Sequence, residues 1–425
     1  MYKSLWIVLV SILLNSIAFG GKILIPMDLS QKNHLKAYGI TYWVLAQKDE
    51  AYWLLNYKGG SFVLDQRPSY EKECKTRGVT YQVISTGEFN QILTEIANPE
   101  VNQDAIKLEV APKVAVYTPE FNLQKGARTQ PWDDAVMLAL TYAEIPFDKI
   151  YDEDVLNDKL AKYDWLHLHH EDFTGQYGRF YAGNHTQPWY RQTVQESEAM
   201  AKRLGYKKVS QMKLAVVKRI QEYLTGGGFL FAMCSATDTY DVALAADGVD
   251  ICAEIFDGDP MEPDCDSKLD FSKTLAFRNF KVMKNPLDNE FSTIDNNTRR
   301  VIPENDYFTL FDFSAKWDPV PTMLTQDHTR TVKGFMGQTT AFIKDYVKPD
   351  VLILGENKSA NEVRYIHGER GQGTWTFYGG HDPEDYRHFI NDPDTDLALH
   401  PNSPGYRLIL NNILFPAAKK KERKT

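Results

Sequence analysis

The sequence has few cysteines and no surplus of positive charge. Its 425 residues include four cysteines, and 48 Lys and Arg stand against 57 Asp and Glu, for a formal net charge of −9. Proteins that bind nucleic acid need a basic stripe that displaces counterions from the phosphates. This charge balance therefore excludes the usual nucleic-acid binder. The sequence also shows no internal repeat and no low-complexity tract, which excludes repeat architectures.

Long apolar runs are missing beyond the first twenty residues. At the start of the chain, Lys3 precedes an apolar run over residues 5–14, and a polar break and small residues follow up to Gly20. This is the layout of a secretory signal peptide, and an apolar core of about ten residues is too short for a bilayer, which needs about twenty. We expect residues 1–20 to be cleaved and the mature chain to be periplasmic or otherwise exported. No lipid anchor and no transmembrane segment is expected in that mature chain.

An oxidising location would permit disulfides. Four cysteines allow three pairings, which the sequence alone does not distinguish. Cys252 and Cys265 are close in sequence, and the stretch between them is rich in Gly, Pro and Asp. We predict a bridge between these two cysteines, which would contribute about 3 kcal/mol for a loop of this length.

The chain divides into regions that differ in their pattern of apolar and polar residues. Residues 21–111 predict a small α/β lobe, with strands over 22–26, 40–45, 52–55, 62–64 and 80–84. Residues 112–418 alternate short buried strands with amphipathic helices, which predicts an α/β fold with a mostly parallel sheet and helices on both of its faces. Within them, residues from about 253 to 350 predict a β-rich insertion, with strands over 273–284, 307–313 and 322–325, and residues 335–338 and 351–355 are predicted to lead back into the sheet. A basic tail, residues 419–425, ends the chain.

In such sheets, ligands bind beyond the carboxyl ends of the strands. Cys234 directly follows the predicted strand 229–233 and directly precedes a predicted helix. A nucleophile on such a turn is presented at the end of the sheet; the helix N-terminus lowers the thiol pKa, and the Ser235 N–H can bind an oxyanion. The alternative is a buried core cysteine without chemistry.

His381 stands at a similar position, after the predicted strand 374–378 and two glycines that end at Gly380. The acids Asp382 and Glu384 that follow it could orient the imidazole and stabilise its charged form. The alternative is a loop histidine beside acids that only cap a helix.

A third group of polar residues ends the predicted strand 165–169. We predict that His169, His170 and Glu171 line the wall of the same pocket and that a loop amide there is a second oxyanion donor. His167, His169 and Glu171 share one strand face, and together with His381 they could bind a divalent metal. Neighbours along one strand are poorly placed for zinc, so neither a metal nor another cofactor is expected.

This order, a cysteine elbow and then a distant histidine with an acid beyond it, resembles the class I glutamine amidotransferase-like superfamily. The resemblance is to its ThuA-like branch, over residues 113–117, 163–170, 226–236 and 371–381. The elbow reads Ala-Met-Cys-Ser-Ala, where family members carry glycine on both sides of the cysteine. The whole chain is similar to exported Bacteroidota proteins commonly labelled asparagine synthetase B.

That label implies an N-terminal cysteine and an ATP-binding Ser-Gly-Gly-x-Asp-Ser loop, and neither is found in the sequence. An ATP-dependent synthetase is therefore not expected. Two functions are predicted instead. One is a Cys–His amidohydrolase acting on a small-molecule amide. The other is a non-catalytic binding or scaffold subunit that docks on a protein partner in the cell envelope.

Overall fold

The computed structural model describes residues 20–119, 132–295, 303–324, 329–387 and 389–418, and shows a mixed α/β fold. The predicted signal peptide, up to residue 19, and the predicted basic tail lie outside these ranges. Within them, no helix is both long enough and apolar enough to cross a membrane. The strands form a five-stranded sheet and a ten-stranded sheet.

The small sheet is antiparallel throughout and belongs to the N-terminal region. Its strands are β1 (Lys22–Ile25), β2 (Ala51–Leu55), β3 (Ser61–Asp65), β4 (Gln82–Ile84) and β5 (Asp104–Leu108), in the order β4-β1-β3-β2-β5. The helices of this region are α1 (His34–Ala46), α2 (Pro68–Thr76) and α3 (Thr86–Ala97). The Asn33 side chain caps α1, and Ser85 and Glu88 form a capping box at the start of α3, so these two helices begin where a side chain satisfies their first free amides.

One predicted strand of this region is wrong. Residues 40–45 belong to α1, and all but one of them are buried. A helix that is covered on every side is apolar all round. Its sequence therefore lacks the one-sided spacing that distinguishes a helix from a buried strand.

The large sheet is mixed. Its strands are β6 (Val114–Tyr117), β7 (Asp148–Ile150), β8 (Trp165–Leu168), β9 (Phe229–Met233), β10 (Tyr307–Leu310), β11 (Thr331–Lys333), β12 (Phe342–Ile343), β13 (Leu352–Asn357), β14 (Glu362–Arg370) and β15 (Gly373–Tyr378). The order is β11-β10-β13-β14-β15-β9-β8-β6-β7, with β12 beside β14. The run from β7 to β15 is parallel, and the pairs on the other side of β15 are antiparallel. A mostly parallel sheet is therefore not confirmed for the sheet as a whole.

The register of the parallel part determines where chemistry can take place. Leu168 of β8 lies opposite Ala232 of β9, and Tyr378 of β15 lies opposite Met233 of β9. The three strands therefore end at one level. The residues that follow them, although far apart in sequence, meet at the same edge of the sheet.

Helices cover both faces of the large sheet. The remaining helices are α4 (Ala135–Ala143), α5 (Asp152–Leu156), α6 (Tyr181–Asn184), α7 (Pro188–Arg203), α8 (Val209–Thr225), α9 (Ala236–Ala245), α10 (Glu254–Asp257), α11 (Cys265–Lys268) and α12 (Pro404–Leu414). Alternate strand residues point to opposite faces, so Trp165 and Phe231 pack with α4 and α12, whereas Leu166 and Leu230 pack with α8 and α9. Helix α1 contacts α4 and α12 and also the small sheet, so one helical layer fills the space between the two sheets.

The predicted β-rich insertion contains fewer strands than expected. Residues 273–284 and 335–338 form no strand, and a 3-10 turn at Pro321–Met323 replaces much of the strand predicted over 322–325. The Asp241 carboxylate accepts hydrogen bonds from the amides of Leu275, Ala276 and Phe277 at 2.7–2.9 Å. Because a buried side chain satisfies these amides, this apolar segment needs no strand partner.

Candidate functional site

Cys234 occupies a sharp turn between β9 and α9. Its φ angle is +51°, in the left-handed region that residues other than glycine seldom adopt. The Cys234 N–H donates to Gly380 O at 3.1 Å, and the Ala236 N–H donates to His169 O at 2.9 Å. These bonds join the ends of β8, β9 and β15. The predicted elbow is present although alanine replaces glycine on both sides of it, and strain of this kind is typical of functional sites.

Three histidines gather around the Cys234 thiol. His381 follows the end of β15, and His169 and His170 follow the end of β8. One side-chain donor atom from each of the four residues lies within 4.8 Å of the other three. The rings of His169 and His170 are stacked with centroids 3.9 Å apart, and the ring of His381 is 4.5 Å from that of His170. The structure thus brings together the predicted nucleophile, the predicted base and two predicted wall residues.

The acids beside these histidines are not the predicted ones. Asp133 Oδ1 lies 3.2 Å from His381 Nε2, whereas Glu384 Oε2 lies 3.1 Å from His400 Nδ1. Asp382 is fully buried and accepts a hydrogen bond from the Glu384 N–H. The carboxylate that contacts His381 thus precedes α4 and comes from a distant part of the chain.

Asp133 and its neighbour Asp134 together hold the three imidazoles. Asp133 O lies 2.8 Å from His170 Nε2, and Asp134 Oδ1 lies 3.3 Å from both His169 Nδ1 and His167 Nε2. Asp134 also caps α4 by accepting the amides of its first turn. Neither acid is predicted from the sequence; the available signal was a pair of aspartates directly before α4.

Burial determines the protonation of this site. It raises the pKa of the Cys234 thiol to about 11, although the backbone amides of Thr339, Gln338 and Ser235 oppose the shift. The expectation that a helix N-terminus lowers this pKa is wrong, because desolvation of the buried sulfur outweighs the amide dipoles. Burial also lowers the pKa of His169 to about 4. At neutral pH the resting site therefore holds a neutral thiol beside a neutral His169.

The amides that face the sulfur come partly from the loop 335–341. The Gln338 N–H donates to Cys234 Sγ at 3.3 Å, and the Gln338 side chain donates to Gly178 O and Asn289 O. A Cβ atom on Gly337 would lie 3.2 Å from Cys234 Sγ and 2.9 Å from the backbone N of His381. Glycine is therefore needed here for the close approach of the loop to the thiol.

Two carboxyl groups, those of Asp238 and Asp295, accept hydrogen bonds from this loop. Thr339 Oγ1 donates to Asp238 Oδ1 at 2.9 Å, and the Thr340 N–H donates to Asp295 Oδ1 at 3.0 Å. Burial raises the pKa of Asp238 to about 7, and burial together with Asp238 raises that of Asp295 well above its usual range. The Thr339 hydroxyl and the Thr340 amide are thus held by the fully buried Asp238 and the half-buried Asp295.

A cavity of about 350 Å³ opens onto Cys234 and His381. Its remaining walls are aromatic, apolar and polar, and include Trp132, Phe180, Met336, Gln338 and Arg387. A smaller adjoining cavity shares Trp132, His170 and Phe180 with it and contains Glu171. The Glu171 carboxylate lies 3.4 Å from Lys213 Nζ, and burial raises its pKa to about 7.

The other predicted residues lie as follows. Gly380, at φ +107°, supplies the carbonyl that anchors the elbow, and the backbone of Ser235 faces the sulfur. All four cysteines fall within the described ranges and are free thiols, so the predicted bridge between Cys252 and Cys265 is not formed. The Cys252 thiol instead donates to Thr174 O at 3.2 Å, and Cys265 is buried in the core formed with α8 and α9.

No protein-family model and no curated protein matches the chain. Among solved structures it is similar to cytoplasmic protein STM3548 from Salmonella typhimurium, with 13% identity over 71% of this chain and 97% of that one and a TM-score of 0.34. It is also similar to cytoplasmic protein STM1381 from Salmonella typhimurium LT2, with 9% identity over 72% of this chain and 100% of that one and a TM-score of 0.36. Gan42B, a GH42 beta-galactosidase, matches with 11% identity over 64% of this chain and 28% of that one, at a TM-score of 0.27. Matches this distant support no argument about function, so the site is interpreted from its own geometry.

Proposed function

We propose that the chain is a cysteine hydrolase that cleaves a small carboxamide, with Cys234 as nucleophile and His381 as general base. One observation carries the proposal: a thiol on a left-handed elbow lies within 4.8 Å of a ring nitrogen of His381, and Asp133 contacts that imidazole. A nucleophile beside a base that is itself oriented by a third group is the arrangement that covalent catalysis requires.

The chemistry begins from a neutral thiol. With Nε2–H donating to Asp133, His381 has its basic lone pair on Nδ1, which takes the thiol proton as the sulfur attacks the carbonyl carbon. The Asp133 carboxylate stabilises the imidazolium that forms. The amide oxygen becomes an oxyanion, for which the Ser235 N–H at the start of α9 is the nearest donor in sequence.

The second half of the reaction returns the proton. His381 donates it to the departing nitrogen as the C–N bond breaks, which leaves a thioester on Cys234 and releases ammonia or an amine. A water molecule then gives a proton to His381 and adds to the thioester. The intermediate collapses to a carboxylic acid and the free thiol. The products together equal the amide plus one water, so no redox partner is needed.

The alternative is a non-catalytic scaffold subunit. A docking surface requires neither a strained cysteine nor buried histidines at the edge of the sheet, and both cost folding free energy. The cavity beside the thiol also provides the access that a small substrate needs. We further propose, from the signal peptide alone, that the substrate is met outside the cytoplasm.

Alkylation of the four cysteines tests the proposal. The mature protein is treated with iodoacetamide at neutral pH, and the labelling rate of each cysteine is followed by peptide mass spectrometry. We expect Cys234 to react fastest and His381→Ala to slow it by at least about tenfold. His400→Ala is the matched control, since His400 contacts Glu384 and is not one of the residues around the thiol.

Turnover supplies the second readout. Ammonia release is measured with a panel of small carboxamides, and Cys234→Ala should abolish whatever activity the unaltered protein shows. Labelling of Cys234 that is as slow as that of buried Cys252 and unchanged by His381→Ala would reject the hydrolase. That result would favour the scaffold.

A further inference from the structure

We propose that the cysteine and histidines at this edge of the sheet also bind zinc, and that the metal switches the hydrolase off by occupying its nucleophile. The donor set is the Cys234 thiolate with the imidazoles of His169, His170 and His381, called here the Cys–His cluster. Metal binding by this cluster stands on geometry alone; only the inhibitory effect rests on the proposed function.

The type and spacing of the donors suit zinc. Zinc prefers four nitrogen and sulfur ligands in a tetrahedron, with Zn–N near 2.0–2.1 Å and Zn–S near 2.3 Å, which places the ligand atoms about 3.3–3.6 Å apart. In the structure the four donor atoms lie within 4.8 Å of one another. The donor atoms would have to approach one another by about 1 Å, and the stacked rings of His169 and His170 would have to turn, to close the tetrahedron.

Each imidazole has one ring nitrogen that lies near an oxygen atom of Asp133 or Asp134. His381 Nε2 lies 3.2 Å from Asp133 Oδ1, His170 Nε2 lies 2.8 Å from Asp133 O, and His169 Nδ1 lies 3.3 Å from Asp134 Oδ1. Histidines that bind a metal almost always donate their other N–H to such an oxygen, which fixes the tautomer and aims the remaining nitrogen at the ion. His381 and His170 each have such a partner, whereas Asp134 lies near His169 Nδ1 without making a hydrogen bond.

An unsatisfied buried nitrogen points independently to a ligand. His169 is 1% exposed, and neither of its ring nitrogens, Nδ1 or Nε2, makes a hydrogen bond within the part of the chain that the structure describes. A buried polar atom without a partner costs about 1–3 kcal/mol. A metal ion bound to Nε2 would satisfy this atom, and the adjoining cavity is lined by the other three donors, His170, Cys234 and His381.

The cysteine side of the site favours a bound metal as well. Coordination displaces the thiol proton, so that Cys234–SH and Zn²⁺ give a Zn–S bond and one released proton. The Gln338 amide, which donates to the sulfur, supports the resulting thiolate. While zinc is bound, the sulfur lone pair is engaged and His381 cannot act as a base.

This donor set differs from the one that the strand pattern offered. That set comprised His167 and His169 on one strand face with Glu171, which are poorly placed for zinc. In the structure Glu171 faces Lys213 in the adjoining cavity, and His170 and Cys234 stand beside His169 and His381 instead. The sheet edge brings together ligands from three strands, which one strand could not provide.

Cobalt substitution tests the site without a substrate. Chelator-treated mature protein is titrated with Co²⁺, and the thiolate-to-cobalt charge-transfer absorption and the tetrahedral ligand-field bands are recorded. We expect one Co²⁺ per chain, complete displacement by Zn²⁺, and protection of Cys234 from iodoacetamide by either ion. Cys234→Ala should remove the charge-transfer band, and His169→Ala and His170→Ala should each weaken binding by at least about tenfold. His400→Ala should leave binding unchanged, and the thermal unfolding of every variant confirms that it is folded.

The outcomes separate the two proposals. If Co²⁺ gives no thiolate band, or if a band is unaffected by both histidine variants, the metal site is rejected. If Cys234 of the metal-free protein reacts in a His381-dependent way while no metal binds, the hydrolase stands and the metal site falls. If the band appears but the metal-free Cys234 is inert, the metal site stands and the hydrolase falls.

Discussion

The two sheets of this molecule are built from strands of similar length, yet only the large sheet has the candidate catalytic side chains grouped at one edge. In the small sheet every pair is antiparallel, so the strand ends alternate between its two edges. In the large sheet β8, β9 and β15 are parallel neighbours that end at one level. Asp133, Cys234 and His381 meet for this reason, and no corresponding edge exists in an antiparallel sheet.

The two regions also use buried polar groups differently. Near the small sheet, the guanidinium of Arg407 donates to Met27 O and Gly59 O, and these bonds attach α12 to the lobe. At the edge of the large sheet, a cysteine has a strained backbone and His169 Nε2 makes no hydrogen bond with the described residues. A buried atom without a hydrogen bond to the described residues also occurs in the lobe, at Arg77 Nη1, so the sheet edge differs in having a strained cysteine beside a cavity.

The largest expected effect is chemical and belongs to the large sheet. Asp133→Asn keeps the shape of the side chain but removes the charge and reverses the hydrogen bond to His381, so we expect hydrolysis to fall about 10²–10⁴-fold. Alkylation of Cys234 should slow as well, with little change in the unfolding midpoint. Asp148→Asn, at the amino end of β7 in the same sheet, is the matched control. An unchanged rate in Asp133→Asn would show that this carboxylate does not orient the base.

A substitution in the lobe that costs a comparable free energy should lower stability without changing the reactivity of Cys234. Trp53 is fully buried and packs edge-on against Tyr38 and at a tilted angle against Phe62. We expect Trp53→Ala to lower the free energy of unfolding by about 3–5 kcal/mol, measured by urea denaturation. Below the transition, the alkylation rate of Cys234 should stay within about twofold of the unaltered protein. A larger change would show that the two regions are coupled through the shared helical layer.

The pH dependence of stability should also come partly from the lobe. Burial, followed by the charge of Arg407, lowers the pKa of His34 to about 4, whereas an unfolded histidine titrates near 6.5. Between these values the unfolded state binds more protons, so stability falls as pH is lowered through this window. Between pH 7 and pH 5 the loss from His34 is about 2 kcal/mol.

The variant His34→Gln isolates this contribution. Glutamine can still donate to Asp28 O, the present partner of His34 Nε2, but it does not titrate. The difference in unfolding free energy between pH 7 and pH 5 should therefore shrink by about 2 kcal/mol in the variant. An equal pH dependence in both proteins would mean that His34 is protonated in the folded lobe.

A pair of glycines gives the smallest expected effects. Gly337→Ala would place a Cβ atom 2.9 Å from the backbone N of His381 and 3.2 Å from Cys234 Sγ, and we expect Cys234 alkylation to slow about tenfold. Gly87→Ala in α3 meets only Ser85 Oγ, at 3.7 Å. It should stabilise the lobe by about 0.5 kcal/mol, because alanine favours a helix. Equal alkylation rates in the two variants would show that the loop 335–341 shifts to accommodate the added methyl group at Gly337.

Local pattern was sufficient to predict most elements of the parallel part of the large sheet. Short apolar runs bounded by turn residues predicted β8, β9 and β15 close to their observed bounds. The same signals placed Cys234 and His381 directly after strands. Such features depend on neighbouring residues in the chain, and a sequence displays those neighbours directly.

Contacts between distant segments were not predictable in this way. That Asp133 and not Asp382 meets His381, that α1 is buried on all sides, that Cys252 and Cys265 remain thiols, and that burial raises the Cys234 pKa all depend on which segments pack together. Desolvation and hydrogen-bond partners are properties of the assembled core, and nothing near Asp133 in the sequence shows that its partner is a histidine more than two hundred residues away. The sequence around Cys234 therefore determined the turn on which this residue lies. The residues that contact Cys234 were determined by the order and direction of the strands in the sheet.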